Sequence, residues 1–363
     1  MRRIGASLTS VLLLPAALLL GAAPSAHAGP AARPGPLSGG WRVSVVDADQ
    51  NLRGLDAVNR TEAWVTGESL TDGAARIFHT TDAGRTWADV TPAGTEGLSF
   101  RDVEAEAGAV HVLAIGPGEA SRIYRSTDGG ASWSETFRNT DAEAFYDCMA
   151  FYPGGRDGLA VSDPVGGKLR ILATRNGGAS WSVLPNTGMP DSAGEYGFAA
   201  SGDCLTTAGG SAFLITGGSQ SRVLRSDDRG LTWAAVASGI PAGDAAGGFS
   251  GAFADPRHGI AVGGDFADPT DTVAAAAYTR DGHTWTGGID LTHIGEDVAY
   301  VGGGHRVAVV TGNYRGSAGT SVTLDGGASW QRVSDQGFHT VDCTADGTCW
   351  AAGATGQVGW ARG

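Results

Sequence analysis

Basic residues are scarce in this chain of 363 residues, which has 25 Lys and Arg against 38 Asp and Glu. Because proteins bind the nucleic-acid backbone through clustered Lys and Arg, the composition argues against a nucleic-acid partner. Cysteine is also rare, with four copies, and the chain has no paired C-x-x-C or H-x-x-x-H spacing typical of zinc sites. No strand-linked G-x-G-x-x-G segment indicates a dinucleotide site. We therefore predict neither a metal nor a cofactor.

The N-terminal segment lacks an apolar run long enough for a membrane anchor. Its run from Val11 to Leu20 is shorter than the roughly 20 residues that a spanning helix needs. Arg2 and Arg3 precede the run, and Ala26-His27-Ala28 offers small residues for cleavage. This pattern predicts that residues 1–28 are a signal peptide and that the mature protein is secreted without a membrane span. Removal of this segment leaves a formal net charge of −15.

The four cysteines are expected to be oxidised in an exported protein. Cys343 and Cys349 flank a turn between two strand-like runs, which predicts a disulfide across a hairpin. Cys148 and Cys204 fall in the inner regions of neighbouring repeats. Their spacing permits a second disulfide but leaves that pairing open.

An eight-residue segment recurs along the chain and organises the rest of the sequence. The copy from Ser126 to Trp133 follows the pattern Ser/Thr-x-Asp/Asn-x-Gly-x-Ser/Thr-Trp, and five other copies keep the plan, one of them shortened by a residue. Their closing tryptophans lie 45 to 52 residues apart. Self-similarity at this period indicates a solenoid or a propeller.

Each repeat contains four strand-like runs, which is the composition of one propeller blade. We predict seven first strands, including Phe145 to Phe151 in the third repeat and Tyr196 to Ala200 in the fourth. The last repeat lacks a fourth strand, and the segment from Gly40 to Val45 can supply it. Residues 41–363 are thus predicted to form a single all-β, seven-bladed β-propeller, closed by the N-terminal strand. A Gly/Pro/Ala-rich tether, residues 29–40, precedes it.

The Asp or Asn of the repeated segment is expected to fold back onto turn N–H groups, while the Trp buries an apolar face between strands. These residues are predicted to be structural: Asp82, Trp87, Asp128, Trp133, Asn176, Trp181, Asp228, Trp233, Asp281, Trp285, Asp325 and Trp330.

The repeated segment resembles the Asp-box, or BNR repeat, of the sialidase superfamily. The run from Ala63 to Gly67, continued to Trp87, is similar to propellers related to the photosystem II stability and assembly factor. Phe145 to Phe151, Phe198 to Gly202 and Gly263 to Phe266 resemble a secreted bacterial group in that branch. The resemblance implies an assembly or binding role, although nothing in the sequence indicates a photosynthetic partner.

In a propeller the first strands line a central channel, and one channel mouth is the expected ligand site. The candidate ligand-binding residues are Arg53, Arg101, Tyr146, Asp163, Glu195, Tyr196, Asp265, Arg315 and His339. Ser250, Asp297, Glu68 and Asn313-Tyr314 complete the predicted mouth. No catalytic residue is assigned.

A glycosidase is the alternative function. The sialidase resemblance implies three arginines, a tyrosine nucleophile activated by a glutamate, and an aspartic acid. Arg53, Arg101 and Arg315 could supply the arginines, but Glu195 and Tyr196 are strand neighbours that point to opposite faces. Asp163 and Asp265 could serve a two-carboxylate glycanase. We therefore favour a monomeric binding or assembly module with a protein or carbohydrate ligand over an enzyme.

Overall fold

The computed structural model describes residues 37, 39–71, 74–198 and 200–362. The predicted signal peptide and most of the predicted tether lie outside the described residues. Strands dominate the described chain, which also has two single-turn 3-10 helices, Gly118–Ala120 and Ala354–Gly356. In this part of the chain, neither helix has the length or apolar character needed to cross a membrane.

The described strands follow one another in hairpins. The N-terminal strand is β1 (Arg42–Val45). Blade one comprises β2 (Gln50–Asp56), β3 (Ala63–Ser69), β4 (Arg76–Thr80) and β5 (Ala88–Asp89). Blade two comprises β6 (Ser99–Glu106), β7 (Ala109–Ile115), β8 (Arg122–Ser126) and β9 (Ser134–Arg138). Blade three comprises β10 (Tyr146–Phe151), β11 (Gly158–Val165), β12 (Lys168–Thr174) and β13 (Ser182–Val183).

The second half of the chain repeats this order with one elaboration. A short β14 (Glu195–Tyr196) precedes blade four, which comprises β15 (Leu205–Ala208), β16 (Ser211–Ile215), β18 (Arg222–Ser226) and β19 (Ala234–Ala237), with β17 (Gly217–Gly218) between β16 and β18. Blade five comprises β20 (Gly243–Asp255), β21 (His258–Asp265), β22 (Ala276–Thr279) and β23 (Thr286–Ile289). Blade six comprises β24 (Asp297–Tyr300), β25 (Ala308–Tyr314), β26 (Ser317–Thr323) and β27 (Gln331–Ser334). Blade seven has β28 (Thr340–Cys343), β29 (Thr348–Ala352) and β30 (Gln357–Arg362).

The seven sheets confirm the predicted seven-bladed propeller of four-stranded antiparallel blades. Blade seven takes its fourth strand from the N-terminus, since β1 pairs with β30 from Arg42 opposite Trp360 to Val45 opposite Gln357. The ring is therefore closed by hydrogen bonds between the two ends of the described chain. Closure also covers an edge of the buried strand β30, which would otherwise be open to pairing with another chain.

The prediction for the first strand of blade four was wrong. The innermost strand of that blade is β15 and not Tyr196 to Ala200. The strand Glu195–Tyr196 instead pairs with Gly217–Gly218, which extends the sheet of blade five. Gly209-Gly210 between β15 and β16 favours a tight hairpin turn. This turn preference outweighs the greater hydrophobicity of the run from Tyr196 to Ala200.

The apolar core lies between neighbouring blades. Trp64 and Ile77 of blade one pack in a single cluster with Phe100 and Val112 of blade two, and all four side chains are buried. Comparable clusters join the other blades. Each blade thus buries its faces only against its neighbours in the ring.

The repeated turns join the third and fourth strands and share one hydrogen-bond pattern. Asp82 Oδ1 accepts the N–H groups of Arg85 and Thr86, each at 2.9 Å, and its Oδ2 accepts the Thr86 hydroxyl at 2.7 Å. Asp128, Asp228, Asp281 and Asp325 make equivalent bonds, and Asn176 makes a similar set. These contacts hold the pKa of Asp82 down at about 2, with the Thr86 N–H as the largest cause.

The inner strands of adjacent blades are linked by side chains. Asp56 Oδ2 accepts the N–H of Ala105 in blade two at 2.6 Å, and Asp102 repeats this bond to Met149 of blade three. Asp297 and Asp342 do the same from blade six to seven and from blade seven to one. Between blades three and four the link is a disulfide, Cys148–Cys204. Cys343 and Cys349 form the predicted hairpin disulfide.

Candidate functional site

Irregular strand pairing positions two arginines at the channel mouth on the face opposite the repeated turns. The pairing of β2 with β3 skips Arg53, and that of β6 with β7 skips Arg101. Such bulges re-aim a side chain that regular alternation would direct elsewhere. The equivalent bulge in β10 falls at Asp147. In each of these three blades, one residue of the innermost strand is therefore left out of the regular strand pairing.

Arg53 crosses the channel to the opposite side of the ring. Its Nη1 lies 3.1 Å from Glu296 Oε1 and donates to the Ala200 carbonyl at 2.9 Å. Glu296 is fully buried and also accepts the N–H of Asn313 at 2.6 Å, while His339 Nδ1 lies 3.0 Å from Oε2. Burial raises the pKa of Glu296, but His339 and Arg53 outweigh it, so the pKa falls below its usual value. Arg53 thus contacts groups from blades one, four and six.

Arg101 forms a second ion pair beside it. Its Nη2 lies 3.6 Å from Glu68 Oε1, and Glu68 Oε2 accepts the Ser99 hydroxyl at 2.8 Å. Burial raises the pKa of Glu68, but the charge of Arg101 and the bond from Ser99 lower it by more. Burial and the nearby charge of Arg53 lower the pKa of Arg101 to about 10. Both arginines are therefore paired to acids at the mouth.

Two carboxyl groups meet next to Arg101. Asp147 and Asp163 are hydrogen-bond partners, and among the described residues no N–H or O–H donor lies within hydrogen-bonding distance of Asp147 Oδ2 or Asp163 Oδ1. Two ionised carboxylates in contact would repel, so the pair is expected to share one proton. Burial raises the pKa of Asp163 to about 6, and burial with the charge of Asp163 raises that of Asp147 well above its usual value.

An aromatic cluster borders the mouth on the side that Arg53 reaches. Phe249 is buried, its ring stacks on Phe266 at 4.3 Å, and the Phe266 ring meets Tyr314 edge-on at 4.9 Å. Phe198 joins them at 5.1 Å from Phe249. Phe198, Phe266 and Tyr314 are half-buried. The mouth thus combines paired charges with partly exposed aromatic faces, a mixture suited to binding polar ligands with apolar parts.

The structure does not bring the other predicted residues to the charged groups around Arg53 and Arg101. Tyr146 is fully buried, and its ring packs edge-on against Phe137. Glu195 is buried in an ion pair with Arg222 of the adjacent chain segment, whereas Tyr196 is 40% exposed. Arg315 is exposed at a hairpin turn, where its guanidinium lies over the Tyr314 ring. Asp265 accepts the N–H of Ala267 at 2.7 Å in its own turn.

Sequence reasoning missed Asp147 and Glu296, each one position from a predicted residue. The mouth candidates were taken from the early positions of the predicted first strands, which selects Tyr146 in β10. The bulge at Asp147 exchanges the two faces, because one extra residue reverses the side-chain direction. Glu296 precedes β24 and enters the mouth from the connection between blades, while Asp297 bonds to Val341 inside the ring. Ser250 likewise donates to Asp297 at 2.6 Å.

The other end of the channel is a cavity of about 390 Å³ lined by acids. Asp56, Glu104, Asp203 and Asp342 face it, together with Tyr300. Burial raises the pKa of Asp56 to about 8, with the charge of Asp342 as the next cause. Burial also raises the pKa of Glu104 and of Asp203 well above the usual range. Carboxyl groups at this end of the channel are therefore expected to be protonated near neutral pH.

These acids predict that the protein becomes more stable as the pH falls from 9 to 6.5. The folded acids hold protons that the unfolded chain, with carboxyl pKa values near 4, has released, so unfolding is opposed at the lower pH. Asp56 alone contributes roughly 2 kcal/mol over this window. We expect the melting temperature to rise by about 5 °C or more. Below pH 6.5 the effect should weaken, since burial lowers the pKa of His111 and of His293 to about 4.

Scanning calorimetry across pH measures this dependence. Asp56→Asn keeps an acceptor for the Ala105 N–H and removes the charge, so it should raise the melting temperature at pH 9 more than at pH 6.5. Glu143→Gln, at an exposed loop position, is the matched control and should shift neither value. A melting temperature that is flat or rises toward pH 9 would contradict the assignment.

Comparisons with known proteins support the fold. No family model matches the chain, and no curated protein matches it. Among solved structures, YCF48 bound to a D1 peptide is similar with a TM-score of 0.62 at 15% identity, covering 89% of this chain and 95% of that one. The WD40 β-propeller domain of Doa1 has a TM-score of 0.59 at 13% identity, covering 88% and 96%. A chain of the mitotic checkpoint complex gives 0.59 at 12% identity, covering 97% and 99%.

Proposed function

We propose that this protein is a secreted Asp-box propeller that binds a protein or carbohydrate ligand at the channel mouth and acts as a binding or assembly module. The observation that carries the proposal is the mouth itself, where Arg53 and Arg101 each pair with an acid from another part of the ring beside a half-buried aromatic cluster. Paired charges and aromatic faces suit recognition of a ligand surface.

The geometry supports binding better than glycoside hydrolysis. A sialidase-like site needs three convergent arginines and a tyrosine within about 3 Å of its activating carboxylate. Here Arg315 lies on an exposed turn, and the hydroxyl of the buried Tyr146 has no hydrogen-bond partner in the part of the chain that the structure describes. Glu195 is held by Arg222 and not by Tyr196. Hydrolysis therefore stays the second candidate, with Asp163, whose pKa burial raises to about 6, as the acid.

Two further observations are consistent with the proposal. YCF48, whose fold is similar, has been solved with a bound peptide, which makes a peptide a reasonable first ligand class to test. The two disulfides fit an oxidising compartment and so agree with export through residues 1–28. The Asp-box assignment rests on the six repeated turns and their shared hydrogen bonds.

Peptide selection tests the binding function directly. The full chain is expressed with export, and the intact mass of the protein in the medium reports cleavage after Ala28. A phage-displayed library of random peptides is then selected against it, in parallel with a glycan array. We expect peptides or glycans whose affinity falls at least about tenfold, or 1.4 kcal/mol, in Phe266→Ala or Arg101→Gln. Val236→Ala, an exposed change on the outer strand β19, is the control.

Two outcomes would reject the proposal. One is the absence of any selected ligand, and the other is binding that persists in both mouth variants with unchanged affinity. Melting temperatures of the variants separate lost binding from lost folding. Turnover of a chromogenic sialoside by the wild type, abolished in Asp163→Asn, would place hydrolysis first.

A further inference from the structure

Two hairpin turns on the face of the repeated turns bring imidazole and carboxylate donors together. Asp255 and His258 flank the turn between β20 and β21 in blade five, and His305 lies in the turn between β24 and β25 in blade six. One donor atom from each side chain lies within 4.8 Å of the other two. In the described part of the chain, this is the one group of three His, Cys, Asp or Glu side chains with donors so close.

The aspartate of this group is already fixed in place. Asp255 Oδ1 accepts the N–H groups of Arg257 at 2.8 Å and of His258 at 3.1 Å, which leaves Oδ2 facing His258 Nδ1 at 2.8 Å. These contacts hold Asp255 Oδ2 beside His258 Nδ1, so an oxygen donor and a nitrogen donor already lie together at this turn.

The two histidines stack face to face. Their ring centroids lie 4.0 Å apart, with 16° between the ring planes. This stacking places a ring nitrogen of each histidine within 4.8 Å of a ring nitrogen of the other. A neutral imidazole has the free lone pair that a metal ion requires.

We propose that Asp255, His258 and His305 form a site for a divalent transition metal of the zinc type. Donors around a tetrahedral zinc ion with bonds of about 2.0–2.1 Å lie roughly 3.4 Å apart, so small side-chain rotations bring the three donors into range. Imidazole selects zinc, copper or nickel over calcium and magnesium, which prefer all-oxygen ligand sets. The adjoining cavity of about 350 Å³ leaves room for water as a fourth ligand.

The other charges around the cavity agree with this choice of metal. Arg280 and Arg306 line it on one side and Asp325 on another, so its surroundings are not strongly anionic. A calcium site relies on several carboxylates, whereas a zinc site gains most of its affinity from the imidazole nitrogens. No motif in the sequence indicated this site, because its ligands come from turns of two different blades.

A metal here would join two neighbouring blades. His305 belongs to blade six and the other two ligands belong to blade five, so the bound ion adds a link between the turns that join the first and second strands of these blades. An ion that binds the folded state and not the unfolded chain raises the melting temperature. This site lies on the opposite face from the channel mouth, and the proposal does not depend on a ligand there.

Zinc titration of the full chain, purified without a polyhistidine tag, tests the site. Isothermal calorimetry with zinc chloride should show binding that weakens at least about tenfold in His305→Ala. His283→Ala removes another exposed histidine, outside the group, and should leave zinc affinity unchanged. Excess calcium should not compete. Zinc should raise the melting temperature of the wild type and of His283→Ala but not of His305→Ala.

Binding of copper in place of zinc identifies the ligand atoms directly. Electron paramagnetic resonance of the copper-loaded protein should show coupling to two nitrogen donors, and one of them should be lost in His305→Ala. The proposal is overturned if the wild type takes up no more zinc than His305→Ala, or if His283→Ala loses as much affinity. Since His305 is exposed, its replacement should not unfold the ring, which the melting temperature without metal will check.

Discussion

Deleting residues 1–46 should lower the melting temperature by about 10 °C or more. The deletion removes β1 and exposes one edge of β30 in blade seven. It also removes Trp41, whose ring packs edge-on against Phe338 at 5.1 Å and whose indole N–H donates to Thr320 Oγ1 at 3.1 Å. Loss of a packed Trp side chain costs about 3–5 kcal/mol, and each kcal/mol shifts the transition of a domain of this size by roughly 2–4 °C.

Because β1 pairs antiparallel with β30, the deleted strand can be restored at the other end of the chain. Arg42 lies opposite Trp360 near the end of β30, so the segment from Gly40 to Val46 could follow β30 directly through a short turn. A chain that begins at Asp47 and carries this segment after Gly363 should regain most of the lost melting temperature in calorimetry. A Gly/Ser tail of equal length is the control and should not. If the tail restores as much stability as the moved strand, ring closure by β1 is not the cause.

Replacing both Cys148 and Cys204 by serine should destabilise the fold by about 4 kcal/mol. This disulfide joins inner strands of blades three and four and spans 56 residues, so its loss frees a long loop in the unfolded chain. Other neighbouring blades are linked at the equivalent place by a hydrogen bond from a backbone N–H group to Asp56 or Asp102. Blades three and four have the disulfide instead. The pair Cys343 and Cys349 spans only 6 residues, and its removal should cost roughly half as much.

Denaturant titrations of the two double-serine variants measure this difference. Both variants leave the same number of new hydroxyl groups, so their comparison isolates the length and position of the closed loop. Equal losses, or a larger loss from the short hairpin disulfide, would contradict the account. Under reducing conditions the wild type loses both disulfides and should be less stable than either variant.

Local patterns in the sequence determined most of the architecture. The repeated segment ending in Trp, the short strand-like runs and the missing last strand were enough to predict seven blades and closure by the N-terminal strand. This works because each blade is a local unit of consecutive hairpins and contacts only its neighbours, so its signals recur at a fixed period. The hairpin pair Cys343 and Cys349 was predictable for the same reason.

Tertiary structure decided which further residues join the channel mouth and where the surface site lies. Arg53 and Arg101 were selected from the sequence, but the bulge at Asp147 was not foreseen, and only the closed ring brings Arg53 to Glu296 across the channel. The histidine pair also meets only when two blades lie side by side. Repeat periodicity encodes what happens within a blade, whereas contacts between distant blades depend on how the ring closes.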